Sequence, residues 1–261
     1  MRTTDMADEL FRSPETELPA GVRLATAKRG GVTVTRVEIT REGLARPRGR
    51  YVTLEMPSVS VLDERDTDVI ETGAAELRAL LPPEGPVLVL GIGNRRVTAD
   101  ALGPRTAQKI LVTMGPQHTL PVRGIRPVAA LAPGVSGDTG LTLRQLAAAM
   151  VDAVRPAALI CVDSLCSAEA VRLGRTIQFS DTGLHPADAR HARHLDAAAL
   201  GVPVIAAGIP TLMDADEGAD LVLTPRALDS VIAHGSALLA GILNRALQPR
   251  LSVAQLCWLT G

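Results

Sequence analysis

The sequence predicts an α/β fold: a three-layer, mostly parallel sheet with helices on both faces, preceded by an N-terminal β-hairpin. Three observations predict it. Short, wholly apolar runs such as "VLVL" (87 to 90) and "ALICV" (158 to 162) read as strands buried on both faces. They alternate with segments of helical spacing, the arrangement that builds parallel strands joined by helical crossovers. Ahead of them, "VTVTRVEIT" (32 to 40) and "YVTLEM" (51 to 56) alternate with period two across a basic turn containing Pro47 and Gly49, a hairpin pattern.

Taken in order, residues 1 to 30 are polar and irregular, with Pro14 and Pro19, and are expected to form a mobile arm. That leaves 31 to 261 as a single domain. Apolar residues at Val69, Ile70, Leu77, Leu80 and Leu81 have helical spacing, which stops at Pro82-Pro83. From there the chain reads as strand 87 to 90, helix 105 to 113, strand 128 to 132, helix 141 to 154, then strands 158 to 162, 176 to 180 and 202 to 209. Thr224-Pro225 is a cap and first-turn pair that opens the last long helix.

Composition excludes several functions. The chain has 261 residues, 46% of them hydrophobic, enough for a sizeable core. Its few aromatics, Phe11, Tyr51, Phe179 and Trp258, argue against stacking on bases or sugars. With 27 basic and 28 acidic residues, nothing points to direct nucleic-acid binding or to an anionic membrane. "MRTTDMADEL" is not a signal peptide, and no window approaches a membrane span, so the expected location is the cytoplasm. Cys161, Cys166 and Cys257 have neither zinc spacing nor a Cys-x-x-Cys pair and read as reduced core thiols.

The loop "GIGNRRVTADALGP" (91 to 104) asks whether its glycines cradle a nucleotide or aim a carboxylate. A dinucleotide loop needs glycine at its sixth position, where Arg96 stands, and no Lys-Ser or Lys-Thr pair follows to make a phosphate loop. The remaining reading is that Gly91 and Gly93 place Asp100 at the mouth of the sheet; capping the next helix is the alternative. If the strands run parallel, Asp163, Asp181, Asp214 and Asp216 converge on the same edge. Asp163 stands out because it follows a wholly apolar strand, where a charge without purpose is costly. Two carboxylates held close share a proton and can act as acid and base toward water. Asp-Thr-Gly at 138 to 140 and 181 to 183 is ordinary turn chemistry, since pepsin-like proteases are all-β. His185, His191 and His194 lack zinc spacing, and no serine elbow is present. No metal or cofactor is expected.

Six blocks, "RYVTLE" (50 to 55), "GIGNRRVTADALGP", "RPVAALAPGVSGDTG" (126 to 140), "ICVDSLCS" (160 to 167), "TIQFSDTGLHP" (176 to 186) and "GVPVIAAGIPTLMDA" (201 to 215), occur in an order that resembles the germination protease family of spore-forming bacteria. The resemblance implies an endopeptidase that degrades small acid-soluble spore proteins, with a fold like that of hydrogenase maturation proteases. It also implies a self-processing zymogen, a homotetramer and a location in the developing spore. The family's two essential acids fall on Asp100 and Asp163, with Gly91, Gly93, Asn94, Asp181 and His185 as supporting or substrate-binding residues. In "TTDMADE" an acid precedes an apolar residue and then Ala7, similar to the family's substrate motif, so Asp5 and Met6 are expected to flank the processing site. A nickel- or zinc-binding maturation-type protease, or a non-catalytic relative, is the alternative.

Overall fold

The computed structural model describes residues 4–12, 17–115, 124–185, 194–215 and 221–260. Its centre is one sheet of nine strands: β1 (Val22–Arg29), β2 (Val32–Ile39), β3 (Gly49–Glu55), β4 (Val87–Gly91), β5 (Val128–Leu131), β6 (Ala158–Cys166), β7 (Thr176–Ser180), β8 (Val204–Asp214) and β9 (Val222–Leu223). The order is β1-β2-β3-β7-β8-β6-β4-β5, with β9 added to the end of β8. The helices are α1 (Thr67–Arg78), α2 (Leu102–Ala107), α3 (Ser136–Thr139), α4 (Leu143–Val154), α5 (Ala197–Leu200), α6 (Leu228–Leu247) and α7 (Val253–Thr260).

The expected α/β class holds, with a qualification about direction. Parallel pairing is confined to β5, β4, β6 and β8; β7 pairs antiparallel with β8, and the β1–β2–β3 meander joins through β7, also by antiparallel pairing. The expected mostly parallel sheet is therefore parallel in its helix-covered part alone.

The apolar runs alternate between two cores, which is why they show no period-two polarity. Val87 and Val89 of β4, with Ile160 and Val162 of β6, join α1, α2 and α6 on one face. Leu88, Leu90, Leu159 and Cys161 join α4 and α5 on the other. At 20 residues, α6 is long and apolar enough to cross a membrane by length and composition, contrary to the sequence expectation. Because 72% of that window is buried, it reads as the core helix of this face.

The N-terminal arm is a second correction. The hairpin of β2 and β3 forms as expected, but residues 22–29 of the supposed arm add a third strand, with Arg29 opposite Val32 across Gly30-Gly31. Gly30 has φ +57°, the left-handed geometry that a two-residue hairpin turn requires. Ahead of it, Ala7 and Phe11 pack with Val22, Val37, Ile39 and Tyr51 in a third, smaller core. Met6, Ala7 and Asp8 are fully buried, so this part of the arm is a packed layer.

Boundaries moved where side chains decide. Strand β6 continues four residues past the expected end at 162, and β8 runs through Pro210 to Asp214. Pro210 lacks an N–H, and beside it the pairing of β6 with β8 slips between Leu165 and Cys166. Helix α2 begins at Leu102 and ends at Ala107, earlier than the expected 105 to 113. Helix α6 begins at Leu228 without a side-chain cap, so Thr224-Pro225 does not open it.

Candidate active site

Close backbone packing builds the first half of the site. A Cβ on Gly91 would lie 2.2 Å from the Gly103 carbonyl oxygen, and one on Gly103 would lie 2.3 Å from those of Ile92 and Val162. Real Cβ atoms do not approach that closely, so α2 sits directly on the ends of β4 and β6 only because both positions are glycine. The chain between them must fold back in a short loop. Gly93, at φ +123°, lets the backbone of Asp100 approach to 2.0 Å from where its Cβ would be. The turn Thr98–Asp100 then places the Asp100 carboxylate over the loop, where its Oδ2 accepts from Asn94 N at 2.7 Å. Asn94 Oδ1 accepts from Arg96 N at 2.9 Å, and Thr211 Oγ1 donates to the Ala99 carbonyl at 3.0 Å, pinning the turn to β8. The glycine loop thus holds the Asp100 carboxylate against the backbone of Asn94.

Strand β6 supplies the second half. Asp163, expected just beyond a strand, lies within β6 and is 5% exposed. Its Oδ1 accepts from Ser164 N at 2.8 Å. Gly91 pairs with Val162, and Ile92 N donates to the Val162 carbonyl at 2.8 Å, so β4 ends level with the residue before Asp163, and the glycine loop leaves it beside β6. Asp100 and Asp163 therefore share the carboxyl edge of β4 and β6.

Asp181 does not join them. It follows β7, whose antiparallel course carries its end away from that edge: Ser180 pairs with Ala206, two residues before the Gly208 that pairs with Asp163. Its two oxygens accept from Arg50 N and Arg50 Nε, each at 2.7 Å, closing the start of β3. His185 lines the Asp163 pocket, but both its ring nitrogens are engaged. Nε2 donates to the Thr182 carbonyl at 2.9 Å, and Nδ1 lies 3.2 Å from His194 Nδ1. Among the described residues no group of three or more His, Cys, Asp or Glu could hold a metal ion. His191 and Asp216 lie outside the described residues, and Asp214 ends β8.

Asp5 and Met6, expected on a mobile arm, are docked at the pocket. The pocket, of about 440 Å³ including its mouth, is lined by Asp5 and Asp163 together with Arg46, Tyr51, Gln178 and Ser180. Asp5 N donates to the Cys166 carbonyl and Cys166 N donates to Asp5 Oδ2, both at 2.8 Å, at the place where β6 slips against β8. Further along, Asp8 is held by Arg172 Nη2 at 2.8 Å, Arg12 Nε at 3.1 Å and Thr53 Oγ1 at 3.1 Å. Glu9 Oε2 accepts from Ala168 N at 2.8 Å. Arg46, Arg172 and Gln178 were not singled out from the sequence; the one available signal was a glutamine inside the apolar run "TIQFS".

An α/β domain with two acids at the carboxyl edge of its parallel strands, and a stretch of peptide lying beside them, has the build of a peptidase. The chain belongs to the germination protease family, whose model matches residues 2–218. A germination protease of Clostridium perfringens (strain SM101) is 32% identical over 278 residues, an alignment covering 84% of this chain and 86% of that protein. One from Caldanaerobacter subterraneus subsp. tengcongensis is 40% identical over 224 residues, 80% of this chain and 67% of that protein. Among solved structures, the NiFe hydrogenase maturation protease HycI of Thermococcus kodakarensis KOD1 is similar at 15% identity and a TM-score of 0.43, over 66% of this chain and 98% of that one.

The cysteines near the site are poor nucleophiles. Burial, and then the Asp5 carboxylate, push the Cys166 thiol up to about 12; burial and then Asp163 raise Cys161 further. Since the thiolate is the reactive form, an alkylating reagent at pH 8 should label neither residue until the chain is unfolded, and should leave peptidase activity unchanged. Labelling of the folded chain followed by mass spectrometry checks this; inhibition that tracks modification of Cys166 would contradict it.

Proposed function

We propose that this germination-family peptidase is an endopeptidase that degrades small acid-soluble spore proteins, with Asp100 and Asp163 activating the attacking water. The observation that supports this reading is that the Gly91–Gly103 and Gly93–Asp100 approaches fold the Asp100 turn back over the end of β4, while Asp163 stands in the neighbouring parallel strand β6, one residue past the partner of Gly91. One carboxylate takes a proton from water as the water oxygen adds to the scissile carbonyl, while the protonated partner donates to the carbonyl oxygen. Collapse of the tetrahedral species then breaks the C–N bond as the departing amine gains a proton.

The same reading makes Asp5–Met6 the first bond cut. Docking of that bond in the pocket that contains Asp163 supports self-processing of a zymogen, although Met6 must leave its buried seat before the new N-terminus is free. The working enzyme is proposed to act without cofactor, as a homotetramer in the cytoplasm of the developing spore.

Asp100→Asn, Asp163→Asn and the double variant should each lose at least ~10³-fold in cleavage of a small acid-soluble spore protein, the double little more than either single, because groups acting as a unit are not additive. Thermal melting should be close to that of the parent, since Asn keeps the shape of Asp. A single variant that melts normally and keeps more than about a tenth of the rate would remove that residue from the acid-base pair. If the folded parent cleaves nothing, the non-catalytic alternative takes its place.

Mass spectrometry of active enzyme should find chains beginning at Met6, and the Asp163→Asn chain should keep Met1. Full activity in chains with Met1 intact would exclude processing at this bond.

A further inference from the structure

We propose that Arg46, Gln178 and Arg172 are the specificity residues of this site, and that the seat of Thr4–Glu9 is where an acidic peptide substrate binds. The assignment rests on the peptidase reading above and adds which side chains select the peptide. Pairing across β3, β7, β8 and β6 puts Thr53, Gln178, Gly208 and Asp163 in one row. Residues in one row project on the same face, and strands lie about 4.8 Å apart, so Gln178 and Asp163 stand about 10 Å apart on one face of the sheet. Between them Gly208 has no side chain of its own, and Leu165 packs over it, its Cγ 2.7 Å from where a Cβ would stand.

Chain segment 4–9 crosses this row, and each contact reads a different feature. The Gln178 amide reads backbone: Nε2 donates to the Asp5 carbonyl at 2.9 Å and Oε1 accepts from Ala7 N at 2.8 Å, one on each side of Met6. Arg46 reads the acid ahead of the apolar residue, with Nη2 3.4 Å from Asp5 Oδ1, while Nη1 donates to the His185 carbonyl at 2.7 Å and fixes the guanidinium. Arg172, 3% exposed, reads the acid three positions later through its Nη2 contact to Asp8. Met6 and Ala7 are fully buried between the two arginines, which limits the intervening residues to an apolar and a small one.

The seat offers more donors than the segment uses. Among the described residues, Arg172 Nη1 and Ser164 Oγ are buried without hydrogen-bond partners, and Ser164 lines the pocket beside Asp163. Spare buried donors are costly in a purely structural packing contact and useful where a longer acid or a substrate carbonyl must be accepted.

Rescue in trans tests the seat without relying on catalysis. The full chain carrying Asp5→Ala and Asp8→Ala leaves the buried Arg172 with Glu9 alone, whose Oε1 is 3.6 Å away, and should melt below the parent. The peptide Thr-Thr-Asp-Met-Ala-Asp-Glu-Leu should raise that melting temperature at a concentration at least ~10-fold lower than the same peptide with both Asp replaced by Asn. Adding Arg46→Gln and Arg172→Gln together should abolish the difference. Equal effects of the two peptides, or no effect of either, would overturn the proposal. If the double variant does not fold, the parent's kcat/KM ratio for the two peptides replaces it: about tenfold or more for the acidic one, falling toward one in Arg46→Gln; a ratio unmoved by Arg46→Gln would overturn the proposal equally. A parent that cleaves neither peptide while rescue persists would remove the peptidase reading and leave the seat assigned.

Discussion

The backbones of β4, β6 and α2 touch, and the rest of the site depends on that contact. Gly91 and Gly103 face each other with no room for a single methyl group between them. The contact lowers α2 onto the strand ends, and the eleven residues between the two glycines have to return over the carboxyl edge rather than arch away from it. Gly93 makes the same approach a second time, against Asp100 itself. A side chain at any of these positions would lift the loop and carry Asp100 away from the end of β4. Overpacking of this kind ordinarily costs about 1–3 kcal/mol and shifts the backbone, and a site that depends on sub-ångström placement is disturbed by that shift.

The opposite wall depends on charge. Asp8, Glu9 and Arg172 are buried together, and such groups persist inside a protein only when each is paired and hydrogen-bonded. Their pairing holds the N-terminal segment against β3 and β7, and Asp5 completes the joint by exchanging hydrogen bonds with Cys166. The segment is thus anchored by acids and lies beside acids. This arrangement explains how a mobile-looking, polar stretch can become a fixed layer of the domain: its polar groups are partnered inward instead of solvated.

Much of the parallel core was legible in the sequence because strands buried on both faces leave an unmistakable apolar signature. Val87 to Leu90 and Ala158 to Val162 carry it, and the glycine loop after the first pointed to Asp100 on motif grounds. The limits were equally physical. Asp163 was judged to lie beyond its strand because a charge interrupts the apolar run, whereas the strand continues to Cys166 with the carboxylate facing the pocket. Strand β1 has no clean alternation, since most of it is exposed on both faces, and only Gly30-Gly31 marked the hairpin. Asp181 was misplaced because strand direction is not written in the strand itself: "TIQFS" reads the same whether it runs with β8 or against it. Arg46 and Arg172 could not be found at all, because their partners are 41 and 164 residues away.

The central claim is that close glycine packing aims Asp100 at Asp163, and Gly93→Ala tests it most directly. The added methyl would meet the Asp100 carbonyl oxygen at 2.0 Å on a backbone at φ +123°, so the turn must move while the sheet and its two cores need not. Measured well below the melting temperature on chains shown to be folded, the cleavage rate should fall at least ~10²-fold, as a displacement of about 1 Å does in a positioned site. A folded Gly93→Ala chain that cleaves at the parental rate would contradict the account.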